Sequence, residues 1–161
     1  VPDGVELTDE LHRQLLEEFT QRYNAHKEDK TTIYAGMPQT LKRLKEAGKT
    51  LAVLSNKPHG AAWPVVERYY PGIFNAVQGA LPEVPVKPDP TLLHRLMGEL
   101  GATPADTLFV GDSNVDIRTA KNGGLTGCGV LWGFRTRAEL EAEGADFIVE
   151  TPAELAELIL G

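Results

Sequence analysis

The sequence predicts an α/β fold, a Rossmann-like parallel sheet with helices on both faces. Three observations carry this expectation. Short apolar runs of strand length stand at residues 50–54, 108–110 and 127–132, continuous as in buried parallel strands rather than alternating. Between them lie segments whose apolar residues recur at spacings of three and four, the period of an amphipathic helix. Glycine, proline or asparagine closes most of these segments, so strands and helices alternate as in right-handed βαβ units.

In chain order, residues 1–7 read as a loop. From Thr8, a plausible N-cap, Leu11, Leu15, Leu16, Phe19 and Tyr23 mark an amphipathic helix. A polar stretch at 24–32 separates it from the rest, so residues 1–32 and 33–161 are expected to be distinct parts. Residues 33–38 form a loop, and Met37, Leu41 and Leu44 mark a helix stopped by Gly48. The run at 50–54 is a strand ending at Ser55. A helix at 61–70 carries Trp63, Val66 and Tyr70 on one side, and Pro71-Gly72 ends it. A short strand lies within 74–80, followed by a proline-punctuated loop at 81–89. Leu92, Leu93, Leu96 and Leu100 make Thr91–Leu100 a helix, with Gly101 just past its end. A strand at 107–112 leads into a helix closed by Asn122-Gly123-Gly124. After the strand at 127–132, Thr136 and Glu139 fit a capping box, and Phe147–Val149 is a small strand. Thr151 and Glu154 fit a second box with Pro152 at the first helical position, opening a last helix with Leu155, Leu158 and Ile159.

The 161 residues are enough for one α/β domain with a sizeable core, and a hydrophobic content of 42% is ordinary for a globular protein. The net charge of −7, with Lys and Arg scattered, argues against nucleic acid or an anionic membrane as partner. The single cysteine, Cys128, allows no intrachain disulfide and suits a cytoplasmic setting; it reads as a small buried strand residue. No run is long enough to span a bilayer.

Parallel strands share a direction, so the ends at Ser55-Asn56 and Gly111-Asp112 should meet at one edge, where ligands bind in open α/β sheets. Asp112 and Asp116, four residues apart across a first helical turn, are hard oxygen ligands suited to Mg²⁺. They are equally well read as a helix N-cap and a first-turn acid. The Ser55 hydroxyl and the Asn56 N–H can donate to a phosphoryl oxygen, or Ser55 can simply start a turn. Lys87 is held extended by Pro88, which fixes its reach; a cation beside carboxylates suits phosphoryl transfer, although most lysines are solvated. Asp89 and Thr91 read as starting the helix that follows.

Together, Ser55-Asn56-Lys57-Pro58, Val86-Lys87-Pro88-Asp89-Pro90 and Val110-Gly111-Asp112-Ser113-Asn114-Val115-Asp116 resemble the motifs of the haloacid dehalogenase superfamily of phosphohydrolases. The segments at 129–140 and 145–149 look like its phosphoglycolate phosphatase branch. The resemblance runs from about Tyr34 to the C-terminus, and the helix before it looks like the end of a helical cap domain. It implies that residues 33–161 are the α/β core and 1–32 a cap remnant with linker. Ser55 would bind the phosphoryl group with help from Asn56, and Lys87 would neutralise its charge. Asp112 would ligate Mg²⁺, and Asp116 would hold a metal-bound water or orient Lys87. Lys57 and His59 would face the leaving group.

In that family the nucleophile and the general acid–base are aspartates of a D-x-D sequence at the end of an N-terminal strand. No such stretch occurs here, and no residue is assigned as nucleophile. The family places that strand between those of Ser55 and Asp112. Without it, unpaired backbone groups there would cost on the order of 1–3 kcal/mol each where buried. Three arrangements are therefore expected: the flanking strands close up, a second chain fills the position as a homodimer or by strand exchange, or the sequence is part of a longer protein. The reading is a Mg²⁺-dependent phosphatase of a small phosphorylated metabolite, phosphoglycolate foremost, with this chain alone inactive. The alternative is a catalytically incomplete domain that binds phosphate or Mg²⁺ or serves oligomerisation.

Overall fold

The computed structural model describes residues 33–161, which form one compact unit. The helix expected between Thr8 and Tyr23 lies outside the described residues. Six α-helices and five strands follow in order: α1 (Met37–Glu46), β1 (Ala52–Pro58), α2 (His59–Tyr69), β2 (Ala76–Ala80), α3 (Thr91–Leu100), β3 (Leu108–Gly111), α4 (Asn114–Asn122), β4 (Thr126–Val130), α5 (Arg137–Glu143), β5 (Phe147–Val149) and α6 (Pro152–Leu160). A single turn of 3₁₀-helix, Pro104–Asp106, precedes β3.

All strand pairs are parallel, as expected of βαβ units, but the strands form two sheets. β1 pairs with β2, and β3–β4–β5 make the other, with β4 central. Among the described residues no strand pairs with the second edge of β1 or of β3. The flanking strands therefore do not close up on each other, which removes one of the three expected arrangements. Burial follows the pairing. Gly127–Val130 of β4 is buried throughout, whereas β1 and β3 are half-buried or exposed despite their apolar sequences. Val110 of β3 is 37% exposed.

Two clusters fill the interior. Leu93 and Met97 of α3 pack with Ala120 and Leu125, and Leu54 of β1 and Phe109 of β3 lean on this cluster from both sheets. On the other side, Cys128, Val130, Val149 and Leu155 pack together, with Leu108 and Trp132 against them. Burying such side chains is worth roughly 1.5–3 kcal/mol each, so α3 and α4 carry much of what joins the two sheets.

Several boundaries differ from expectation. β1 does not end at Ser55: regular pairing stops at Leu54↔Gln78, and the strand continues through an irregularity to Pro58↔Ala80. The second capping box is only half made. Glu154 N–H donates to Thr151 Oγ1, but the Glu154 carboxylate accepts from Glu150 N–H instead of turning back to Thr151. Trp63 is 44% exposed, so the apolar side of α2 is not wholly buried. No helix among the described residues is long and apolar enough to cross a membrane.

Candidate active site

The C-terminal part of β1, the loop before α3 and the β3–α4 turn converge on Lys87. Asn56 clamps the Lys87 backbone: Lys87 N–H donates to Asn56 Oδ1 at 3.0 Å, and Asn56 Nδ2 donates to the Lys87 carbonyl at 3.2 Å. From the end of α4, Asn122 Nδ2 donates to the Pro88 carbonyl at 2.8 Å. The loop is thus tied to β1 and to α4. Its far end starts α3, where hydrogen bonds from the Thr91 hydroxyl and N–H hold the Asp89 carboxyl below its ordinary range.

The Lys87 side chain crosses to the second sheet. Its Nζ donates to Asp116 Oδ1 at 2.6 Å and lies 6.0 Å from the centre of the Phe109 ring. The two side chains are only 15% and 10% exposed. A pair this sheltered is weakly screened, and removing one partner leaves the other in a poorly solvated place.

Asp116 is fixed by the way α4 begins. Ser113, in extended conformation, is the N-cap, and its side chain accepts from Asp116 N–H. Asp116 Oδ2 in turn accepts from Ser113 N–H at 3.2 Å, Ser113 Oγ at 2.9 Å and Asp112 N–H at 3.2 Å. This reciprocal box satisfies donors that a helix start leaves unpaired. Ser113 therefore takes the cap position that Asp112 would fill on the purely structural reading. Gly111 makes room for the arrangement, since a Cβ there would fall 2.2 Å from Asp116 Cβ.

Asp112 is freed for another use. Its Oδ2 accepts from the N–H of Phe134, in the loop after β4, at 3.1 Å. Among the described residues no donor reaches its Oδ1. Both Asp116 oxygens accept from protein donors, so of the two roles the resemblance implied for Asp116, orienting Lys87 is the one with a contact behind it. No cluster of three or more His, Cys, Asp or Glu among the described residues could hold a metal. One available carboxylate oxygen still fits Mg²⁺, which is usually bound by one or two carboxylates plus waters and substrate oxygens.

Ser55 Oγ accepts from Lys57 N–H at 3.1 Å, a local turn that leaves its own proton available to donate. The side chain of Asn56 is engaged with Lys87, while the role expected at this position belongs to its backbone N–H. Lys57 is exposed beside it. His59 Nδ1 accepts from Gly79 N–H at 3.1 Å, joining the start of α2 to β2. The Asn56 clamp, the Phe109 ring and the Phe134 N–H were not visible in the sequence, because each depends on residues distant along the chain.

A family model described as haloacid dehalogenase-like hydrolase matches residues 4–130. The chain belongs to that family. It is 34% identical over 157 residues to the phosphoglycolate phosphatase of Mannheimia succiniciproducens, covering 97% of this chain and 70% of that protein. The phosphoglycolate phosphatase of Vibrio vulnificus is likewise 34% identical, over 158 residues, with 96% and 68% covered. A crystal structure from Lactobacillus delbrueckii subsp. bulgaricus, a candidate phosphoglycolate phosphatase, superposes with a TM-score of 0.85 at 35% identity. It is matched over 100% of this chain and 66% of its own. This chain is a phosphoglycolate phosphatase-like hydrolase by sequence and fold, and it spans about two thirds of the length of these relatives.

Proposed function

We propose that the chain supplies the phosphate- and cation-binding half of a Mg²⁺-dependent phosphatase acting on a small phosphorylated metabolite, phosphoglycolate foremost. The observation that carries this reading is the sheltered Lys87–Asp116 pair beside Asp112, whose Oδ1 has no protein donor among the described residues. Ser55 and the Asn56 N–H bind the phosphoryl oxygens, with Lys57 at the rim. Lys87, aimed by Asp116, offsets charge as it builds on the transferring group, an effect that is strongest where water is scarce. Asp112 would hold the Mg²⁺, which when bound draws charge from the phosphoryl oxygens.

No residue described here is assigned as the nucleophile. The family resemblance puts it on a strand between those of Ser55 and Asp112, and the edges of β1 and β3 that have no strand partner among the described residues suit an extended segment there. Beside β3 lies a cavity of about 210 Å³ lined by Met37, Val110, Val130, Trp132 and Leu155, with Asp112 at its border. Its apolar walls suit the side chains of such a segment, from a second copy or from another part of the protein. The same open edges favour a second reading, a non-catalytic domain that associates through them. The test is phosphate release from phosphoglycolate and from an aryl phosphate, with Mg²⁺ or EDTA. Mg²⁺-dependent release that falls at least about 100-fold in Asp112→Asn supports the enzyme. A folded chain without release whose Mg²⁺ binding is lost in Asp112→Asn supports the half-site; one without release in which Mg²⁺ binding ignores Asp112→Asn supports the second reading.

A further inference from the structure

Asp112 must be held as well as present, and what holds it lies in the loop after β4. A Cβ added to Gly133 would fall 2.2 Å from Asp112 Cβ, 2.5 Å from Cγ and 2.2 Å from Oδ2. The clash includes the atom nearest the backbone, so rotating the carboxylate would not relieve it. Gly133 has no positive φ, so space rather than backbone conformation demands glycine here. The next residue completes the seat: Phe134 N–H donates to Asp112 Oδ2 at 3.1 Å. The Phe134 ring is 88% exposed and plays no part in packing that would otherwise explain the loop's position.

We propose that Gly133 is the positioning residue for Asp112. Its bare Cα lets the β4–α5 loop close over the carboxylate, so that the Phe134 N–H pins Oδ2 and Oδ1 is left for a ligand. β4 is the neighbour of β3, so the seat is set by sheet pairing and not by α4. The Asp112 carboxylate and the Asp116 carboxylate are then seated by different elements, although the Asp112 N–H also donates to Asp116 Oδ2. The inference rests on Asp112 being the cation ligand proposed above only for its consequence, not for its geometry.

The test uses the full chain, with amide hydrogen exchange of Phe134 followed by NMR. An amide on so exposed a residue should exchange fast unless it is bonded. Slow exchange in the wild type, accelerated on the order of tenfold in both Gly133→Ala and Asp112→Asn, is expected for a bond to a charged acceptor. Gly98→Ala, in α3 with nothing within 4 Å of its added Cβ, should leave that exchange unchanged and controls for general loosening. Fast exchange in the wild type, or slow exchange retained in Gly133→Ala, overturns the proposal. A Mg²⁺ titration of the same samples reads the metal separately. A weakened response in Gly133→Ala carries the seat through to the cation. An equal response in wild type and Asp112→Asn, with the exchange pattern as expected, removes the metal reading and leaves the seat standing.

Discussion

Asp116 has little room to move. Three donors hold Oδ2, Lys87 holds Oδ1, and the absence of a side chain at Gly111 admits its Cβ. Lys87→Met keeps most of the buried stem and deletes the charge, so it tests the pair itself. The three remaining donors soften the loss, and an unfolding cost of about 1–3 kcal/mol is expected in urea titrations. Gly111→Ala should cost a similar amount by overpacking, roughly 1–3 kcal/mol. Cys128 is fully buried, and burial pushes its thiol up to about 11 from 9.0. The native chain should therefore resist thiol reagents at pH 8 while the unfolded chain reacts. Because the folded state favours the neutral thiol, this contribution is complete below pH 9 and fades as pH rises toward 11. The residue types of the site were legible because Ser55, Lys87, Asp112 and Asp116 stand in recognisable short motifs. Their supports were not: nothing in the sequence shows that the Asn56 side chain clamps the Lys87 backbone, and Gly133 looks like an ordinary loop glycine.

At the scale of elements, local signals worked where one segment determines its own structure. The helix Thr91–Leu100 and the strand Phe147–Val149 have the expected bounds, and Thr136 with Glu139 makes both bonds of a capping box. The box of α4 is tied to the site, since its N3 residue is Asp116. Ser113→Ala should cost about 1 kcal/mol in thermal or urea unfolding and weaken Lys87 placement. Thr136→Ala should cost a similar amount without touching the Lys87–Asp116 pair. β1 shows where local reading stops. An apolar run ends at Leu54, but hydrogen bonding to β2 resumes at Pro58 and carries the element past Ser55. Glu154 likewise finds Glu150 N–H in place of Thr151, a choice fixed by how the chain leaves β5.

For the whole molecule, alternation of strands and helices gave the α/β class, but the division into two sheets could not be read from it. Both sheets meet the same cluster through Leu54 and Phe109, and the loop of Lys87 ties β1 to α4 by hydrogen bonds with Asn56 and Asn122. Among the described residues β1 and β3 each keep one edge without a strand partner and are half-buried or exposed, a condition that invites edge pairing. Sedimentation over a range of concentration should show self-association, and Val110→Lys on β3 should reduce it. The central claim is that Asp112 makes this strand end a cation and phosphate site. Thermal unfolding of the full chain with millimolar Mg²⁺ and inorganic phosphate, against EDTA, tests it most directly. A rise in Tm with Mg²⁺ and phosphate that disappears in Asp112→Asn is the predicted result. No rise, or an equal rise in both proteins, would contradict it.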